Sequence, residues 1–140
     1  MDEVPCYFDM ARDTTLAFCG SKNVESSDTG YRKHRYTVCM SATADGRLLK
    51  PMLIFRGLKR APNVNSTRVV VTASQSGTVD SGLAKIWMDK VFSCRGNYFS
   101  TTKSLLIWDN FGAHRRDDVV QHCKRKFKSD VLLIPGKLQS

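Results

Sequence analysis

Residues 104–114 read SLLIWDNFGAH. Leu105, Leu106, Ile107 and Trp108 run straight up to Asp109, and Asn110, Gly112 and His114 follow at once. A short apolar run bounded by small and polar residues predicts a buried β-strand. The carboxylate at its end has two uses. It caps a turn or a helix, or it stands at the carboxyl edge of a sheet, where open α/β folds collect their functional groups.

The flanking segments favour the sheet edge. Upstream, SGLAKIWMDKVFSCRGNYF (81–99) carries Leu83, Ile86, Trp87 and Val91 at helical spacing. Downstream, DDVVQHCKRKF (117–127) predicts a second helix and DVLLIPG (130–136) another buried strand. Strand, helix and strand in this order form a βαβ unit with parallel strands and a right-handed crossover. The first half is different. VPCYF (4–8) predicts a short strand, and residues 10–30 are polar and turn-rich. RYTVCMSATA (35–44) alternates and closes a hairpin with LLKPMLIFRG (48–57) through the Asp45-Gly46 turn. RVVVTA (68–73) adds a short strand within an excursion. The first half therefore reads as antiparallel, and the whole as an α/β fold: one mixed sheet flanked by helices.

Composition narrows the function classes. The 140 residues are 41% apolar, which suits one globular domain, 1–140, with one core. No apolar run approaches the ~20 residues of a membrane helix. The acidic start, MDEVP, leads into no signal-peptide stretch. Cys6, Cys19, Cys39, Cys94 and Cys123 form no C-x-x-C pair, which predicts buried thiols in a reducing compartment. The net charge of +9 favours a polyanionic partner, nucleic acid first, with acidic proteins as the other class.

Asp109 needs a second carboxylate before it can do chemistry. Asp2, Glu3 and Asp9 lie on or near the first strand, and a central position for that strand would bring one of them close. Two adjacent carboxylates repel each other, and a hard divalent cation, Mg2+ or Mn2+, relieves the repulsion. Cations held in this way activate water and stabilise the leaving oxygen of a phosphodiester, a substrate that suits a basic chain.

Four segments carry a family resemblance: MDEVPCYFDM (1–10), residues 29–57 from TGYRKHRYTV to IFRG, SLLIWDNFGAH (104–114) and DVLLIPGKLQS (130–140). In this order they resemble the catalytic domain of pogo/Tigger-type transposases, within the mariner-like superfamily that uses three carboxylates. The resemblance implies a ribonuclease-H-like fold and metal-dependent cutting and joining of DNA in the nucleus. Asp2 matches the first catalytic aspartate and Asp109 the second, both as metal ligands, with Asp9 in reserve for Asp2. The third carboxylate of the family follows a segment like IPGKLQS and has no counterpart within these 140 residues. The fold is therefore expected to be C-terminally truncated, its Mg2+ or Mn2+ weakly held, and its cleavage poor or absent. A catalytically inactive, transposon-derived DNA-binding or protein-interaction module is the alternative. Homodimers and nuclear proteins are further partner classes.

Other residues fill supporting places. Asn110 offers a neutral oxygen beside the metal. His114 would orient a carboxylate or touch a phosphate, and a surface or capping histidine is the plainer alternative. Arg32, Lys33, His34 and Arg35, with Arg115 and Arg116, would form a positive DNA-contacting face on the side of the carboxylates. Asp117 and Asp118 fall where negative charge suits a helix start, and Lys124, Arg125 and Lys126 where positive charge suits its end. Asp130 should lie at the opposite end of its strand from Asp109. Trp87 and Trp108 read as core.

Overall fold

Alternation in RYTVCM puts Thr37 and Cys39 on one face of a strand, and both are buried. That strand is β2 (Arg35–Met40) of a computed structural model that describes residues 1–8, 19–21, 35–95 and 103–135. Asp9, Arg32, Lys33, His34 and the end of the chain after Pro135 lie outside the described residues. The other elements are β1 (Asp2–Tyr7), β3 (Met52–Arg56), β4 (Val70–Ser74), α1 (Ser81–Lys90), a short 3-10 turn (Phe92–Cys94), β5 (Ser104–Asp109), α2 (Asp117–Phe127) and β6 (Ser129–Ile134).

β1, β2 and β3 are antiparallel neighbours, as the alternation predicts. β4 departs from the expected antiparallel half. It joins the far edge parallel to β3, with Met52 opposite Val70 and Arg56 opposite Ser74. After β4 the chain turns through Gly77, whose φ of +75° favours glycine. A Cβ there would lie 2.7 Å from the Arg56 Cβ, so the backbone approach also demands glycine. The Gly77 carbonyl accepts the buried Thr37 hydroxyl at 2.6 Å and ties this turn to β2.

Both helices follow their end signals. The Asp80 carboxylate caps α1 by accepting the Leu83 amide at 2.8 Å. α2 carries Asp117 and Asp118 in its first turn and Lys124, Arg125 and Lys126 in its last, matching the helix dipole at both ends. Val119, Cys123 and Phe127 repeat every four residues and form its buried stripe. Those side chains belong to one buried cluster with Leu83, Ala84, Trp87 and Met88 of α1 and the inner residues Cys39, Met52 and Ile54 of the sheet. Trp87 and Trp108, rings 5.3 Å apart, join α1 to β5. Burial pushes the Cys39 thiol up to about 12 and that of Cys123 up to about 11, so both act as small apolar groups.

The expected single mixed sheet is divided. β1–β4 form a four-stranded mixed sheet in that order, and β5 and β6 a separate parallel pair linked by α2. β1 is an edge strand, not a central one, and no ladder joins it to β5 among the described residues. β1 pairs with β2 along its whole length, and Met1 and Asp2 share a cavity wall with residues 107–109.

Candidate carboxylate site

Asp109 is the last residue of β5 and is half-buried. The chain then turns back: the His114 amide donates to the Phe111 carbonyl at 3.0 Å. That turn lays the His114 ring on Trp108, with centroids 3.9 Å apart and planes 4° from parallel. Phe111 closes the side with an edge contact at 5.7 Å. His114 is 1% exposed, so it is neither a surface nor a capping histidine. Its Nδ1 stands 2.5 Å from Asp109 Oδ1.

The protonation state follows from the surroundings. Burial lowers the His114 pKa below its ordinary value, and the Asp109 carboxylate opposes that shift without cancelling it. A neutral imidazole beside an ionised carboxylate must carry its proton on Nδ1 and donate it to Asp109. Nε2 then points into the packed interior without a hydrogen-bond partner among the described residues. Asp109 therefore has one oxygen held by a buried, stacked ring, which sets the direction of the carboxylate.

Asp2 reaches the same place from the other sheet. It is exposed, and its Oδ1 accepts the Glu3 amide at 2.9 Å. Asp2 and Asp109 line one cavity of about 660 Å³ with apolar walls from Met40, Leu48, Ile107 and Ile134. Their fields overlap at two neighbouring groups. Burial lowers the pKa of the Met1 ammonium while Asp2 and Asp109 push it up. Burial raises that of Glu3, and Asp109 and Asp2 raise it further.

Glu3 stays outside the pair. Strand alternation turns it to the opposite face, where its carboxylate accepts the Val79 amide at 3.3 Å. Among the described residues no group of three potential ligands converges. Asp118 is held by Lys85 and Arg116, which keep its carboxyl down at about 2. Asp130 lies opposite Leu105, at the far end of the β5–β6 ladder from Asp109.

The supporting residues divide. Asn110 is exposed directly after Asp109. Arg115 and Arg116 are exposed between His114 and α2, close to Asp109 in sequence. Arg35 is not beside them: it pairs with Tyr7, at the other end of the ladder from Asp2. Sequence reasoning missed the part played by Trp108. Its position directly before Asp109 was the available signal, because a flat buried ring there provides the platform for His114.

Comparison with known proteins identifies the family. A family model described as DDE superfamily endonuclease matches residues 33–140. Proteins described as "Pogo transposable element with KRAB domain" from Mus musculus and Homo sapiens are each 27% identical over 139 residues, covering 99% of this chain and 23% of theirs. The chain thus spans about a quarter of the length of these curated relatives. No solved structure matches.

Proposed function

Because the chain belongs to the DDE superfamily endonuclease family, in its pogo-type transposase branch, we propose that it is a nuclear, transposase-derived domain of ribonuclease-H-like type that binds DNA at the Asp2–Asp109 cavity. The observation that carries this reading is the convergence of two carboxylates from separate sheets on one cavity, one of them clamped by His114.

The donor set fits Mg2+ or Mn2+, since both prefer hard carboxylate oxygens. Asp2 and Asp109 would hold the cation, with Asn110 as a neutral neighbour. A bound cation would polarise a phosphodiester and lower the pKa of water. His114 keeps the Asp109 carboxylate aimed at the cavity, whose walls are apolar but open to solvent. Arg115 and Arg116 contact the backbone phosphates of the DNA. With two carboxylates in place, cation binding is weak, and these 140 residues alone cut DNA slowly or not at all, because phosphoryl transfer depends on accurate positioning.

The test is duplex binding measured across a range of salt. The logarithm of the association constant should fall linearly with the logarithm of salt concentration, by about 0.9 for each phosphate neutralised. Reversing Arg115 and Arg116 to Glu should weaken binding on all sequences and reduce the slope by about 2. A slope and affinity unchanged by the double reversal would remove these two residues from the interface.

A further inference from the structure

β3 and β4 are parallel, yet the 13 residues between them, 57–69, contain no helix. Parallel neighbours are ordinarily joined by a helix that packs on the sheet. Structureless connections of about 12–15 residues are uncommon and are usually functional. This one buries almost nothing, since residues 57–68 are all exposed. Core packing therefore does not account for it.

Its chemistry is one-sided. GLKRAPNVNSTRV holds Lys59, Arg60 and Arg68 and no carboxylate, and Arg56 stands at its root. Among the described residues no acidic side chain pairs with Lys59, Arg60 or Arg68. Asn63, Asn65, Ser66 and Thr67 fill the space between the cations with short polar side chains. Cations interleaved with Asn, Ser and Thr are the groups that proteins use on the DNA backbone.

The strand register fixes how far this loop lies from the carboxylates. Tyr36 pairs with Phe55, so Arg56 follows beside Arg35, which itself pairs with Tyr7. From the level of Asp2 to that of Tyr7 is about 17 Å along the strands, and two strand spacings add about 10 Å across. The loop re-enters the sheet at Val70, opposite Met52, which brings Arg68 back to the carboxylate end. It leaves β3 at Arg56, however, about 20 Å from Asp2, equivalent to about 6 base pairs at ~3.4 Å each. Arg35, which the fold keeps away from the carboxylates, lies at this end.

We propose that the 57–69 loop is a second DNA-contacting arm, in which Lys59 and Arg60 grip backbone phosphates about half a helical turn from the nucleotide at the Asp2–Asp109 cavity and Arg68 grips one nearer to it. The arm rests on the reading of the chain as a DNA-binding domain and adds to it a separate surface. Its contacts carry no base preference. They hold the duplex in register while the carboxylate cavity meets a single phosphate.

The experiment compares the chain with its Lys59→Ala/Arg60→Ala/Arg68→Ala variant on a duplex of about three helical turns. Because the loop is exposed, the variant should melt at the same temperature as the parent chain. Its salt slope should be less steep by about 2–3, at ~0.9 for each phosphate no longer neutralised. Hydroxyl-radical footprinting should lose protection over the half turn between the cavity and the Lys59–Arg60 end of the arm. If the variant keeps the parent slope and footprint while reversal of Arg115 and Arg116 flattens the slope, the arm is wrong and the DNA reading stands. If the parent chain shows no salt-dependent duplex binding, both are wrong.

Discussion

Trp87→Ala should lower the unfolding free energy by about 3–5 kcal/mol, the range for deleting a large buried aromatic side chain. Trp87 is fully buried at the meeting point of the two sheets and both helices. Its ring packs 5.3 Å from Trp108 and 5.7 Å from Phe92. Removing it takes one wall from Trp108, which in turn supports His114. A domain of this size has about 5–15 kcal/mol of stability in total, so the variant should lose a large share of its margin. Urea denaturation followed by far-UV circular dichroism measures the effect. A loss under about 1 kcal/mol would mean that the two sheets are not held together through this ring.

His114→Ala should cost about 2–4 kcal/mol at neutral pH. The hydrogen bond to the Asp109 carboxylate is worth about 1.5–3 kcal/mol, and the stack on Trp108 about 0.5–1.5 kcal/mol. The two losses overlap, so they do not simply add. The penalty should also depend on pH in a fixed direction. Burial holds the folded pKa of His114 below its unfolded value. Below about pH 6.5 the unfolded chain takes up a proton that the folded site resists. The stability that His114 contributes is therefore present above about pH 6.5 and declines as the pH falls below it. The gap between the parent chain and His114→Ala should narrow between pH 7.5 and 5.5 in paired denaturation curves. A gap that stays constant or widens on acidification would contradict the buried neutral imidazole.

What the sequence disclosed, and what it did not, follows from the range of each interaction. The limits of α2 were legible because its end charges and its four-residue stripe are local. The β2–β3 hairpin was legible for the same reason, since alternation and the Asp45-Gly46 turn lie within a few residues of each other. The parallel pairing of β4 was not, because periodicity names a strand without naming its partner. The division into two sheets was hidden likewise, since it depends on which strands become neighbours. SLLIW reads in sequence as a wholly buried run. Leu106 and Trp108 are buried, but Leu105 and Ile107 are about half exposed, so the strand alternates.

At the candidate site, the five-residue spacing from Asp109 to His114 showed that the two could meet. It did not show that the ring would be buried, because that follows from the shape of the turn and the face of Trp108. The family was legible from four segments in order, and the family match covers residues 33–140. The charge of Arg35 was legible and its distance from Asp2 was not, since only strand register places it.

The central claim is that Asp2 and Asp109 together form a cation site. Titrating the nitrogen-15-labelled chain with Mn2+ tests it most directly, because the bound ion broadens the amide resonances nearest to it. The account predicts that Asp2, Glu3, Asp109 and Asn110 broaden first, and that the pattern is lost in the Asp2→Asn/Asp109→Asn variant. Broadening centred on Asp89 or on Asp117 and Asp118, or the same pattern persisting in the double variant, would contradict it.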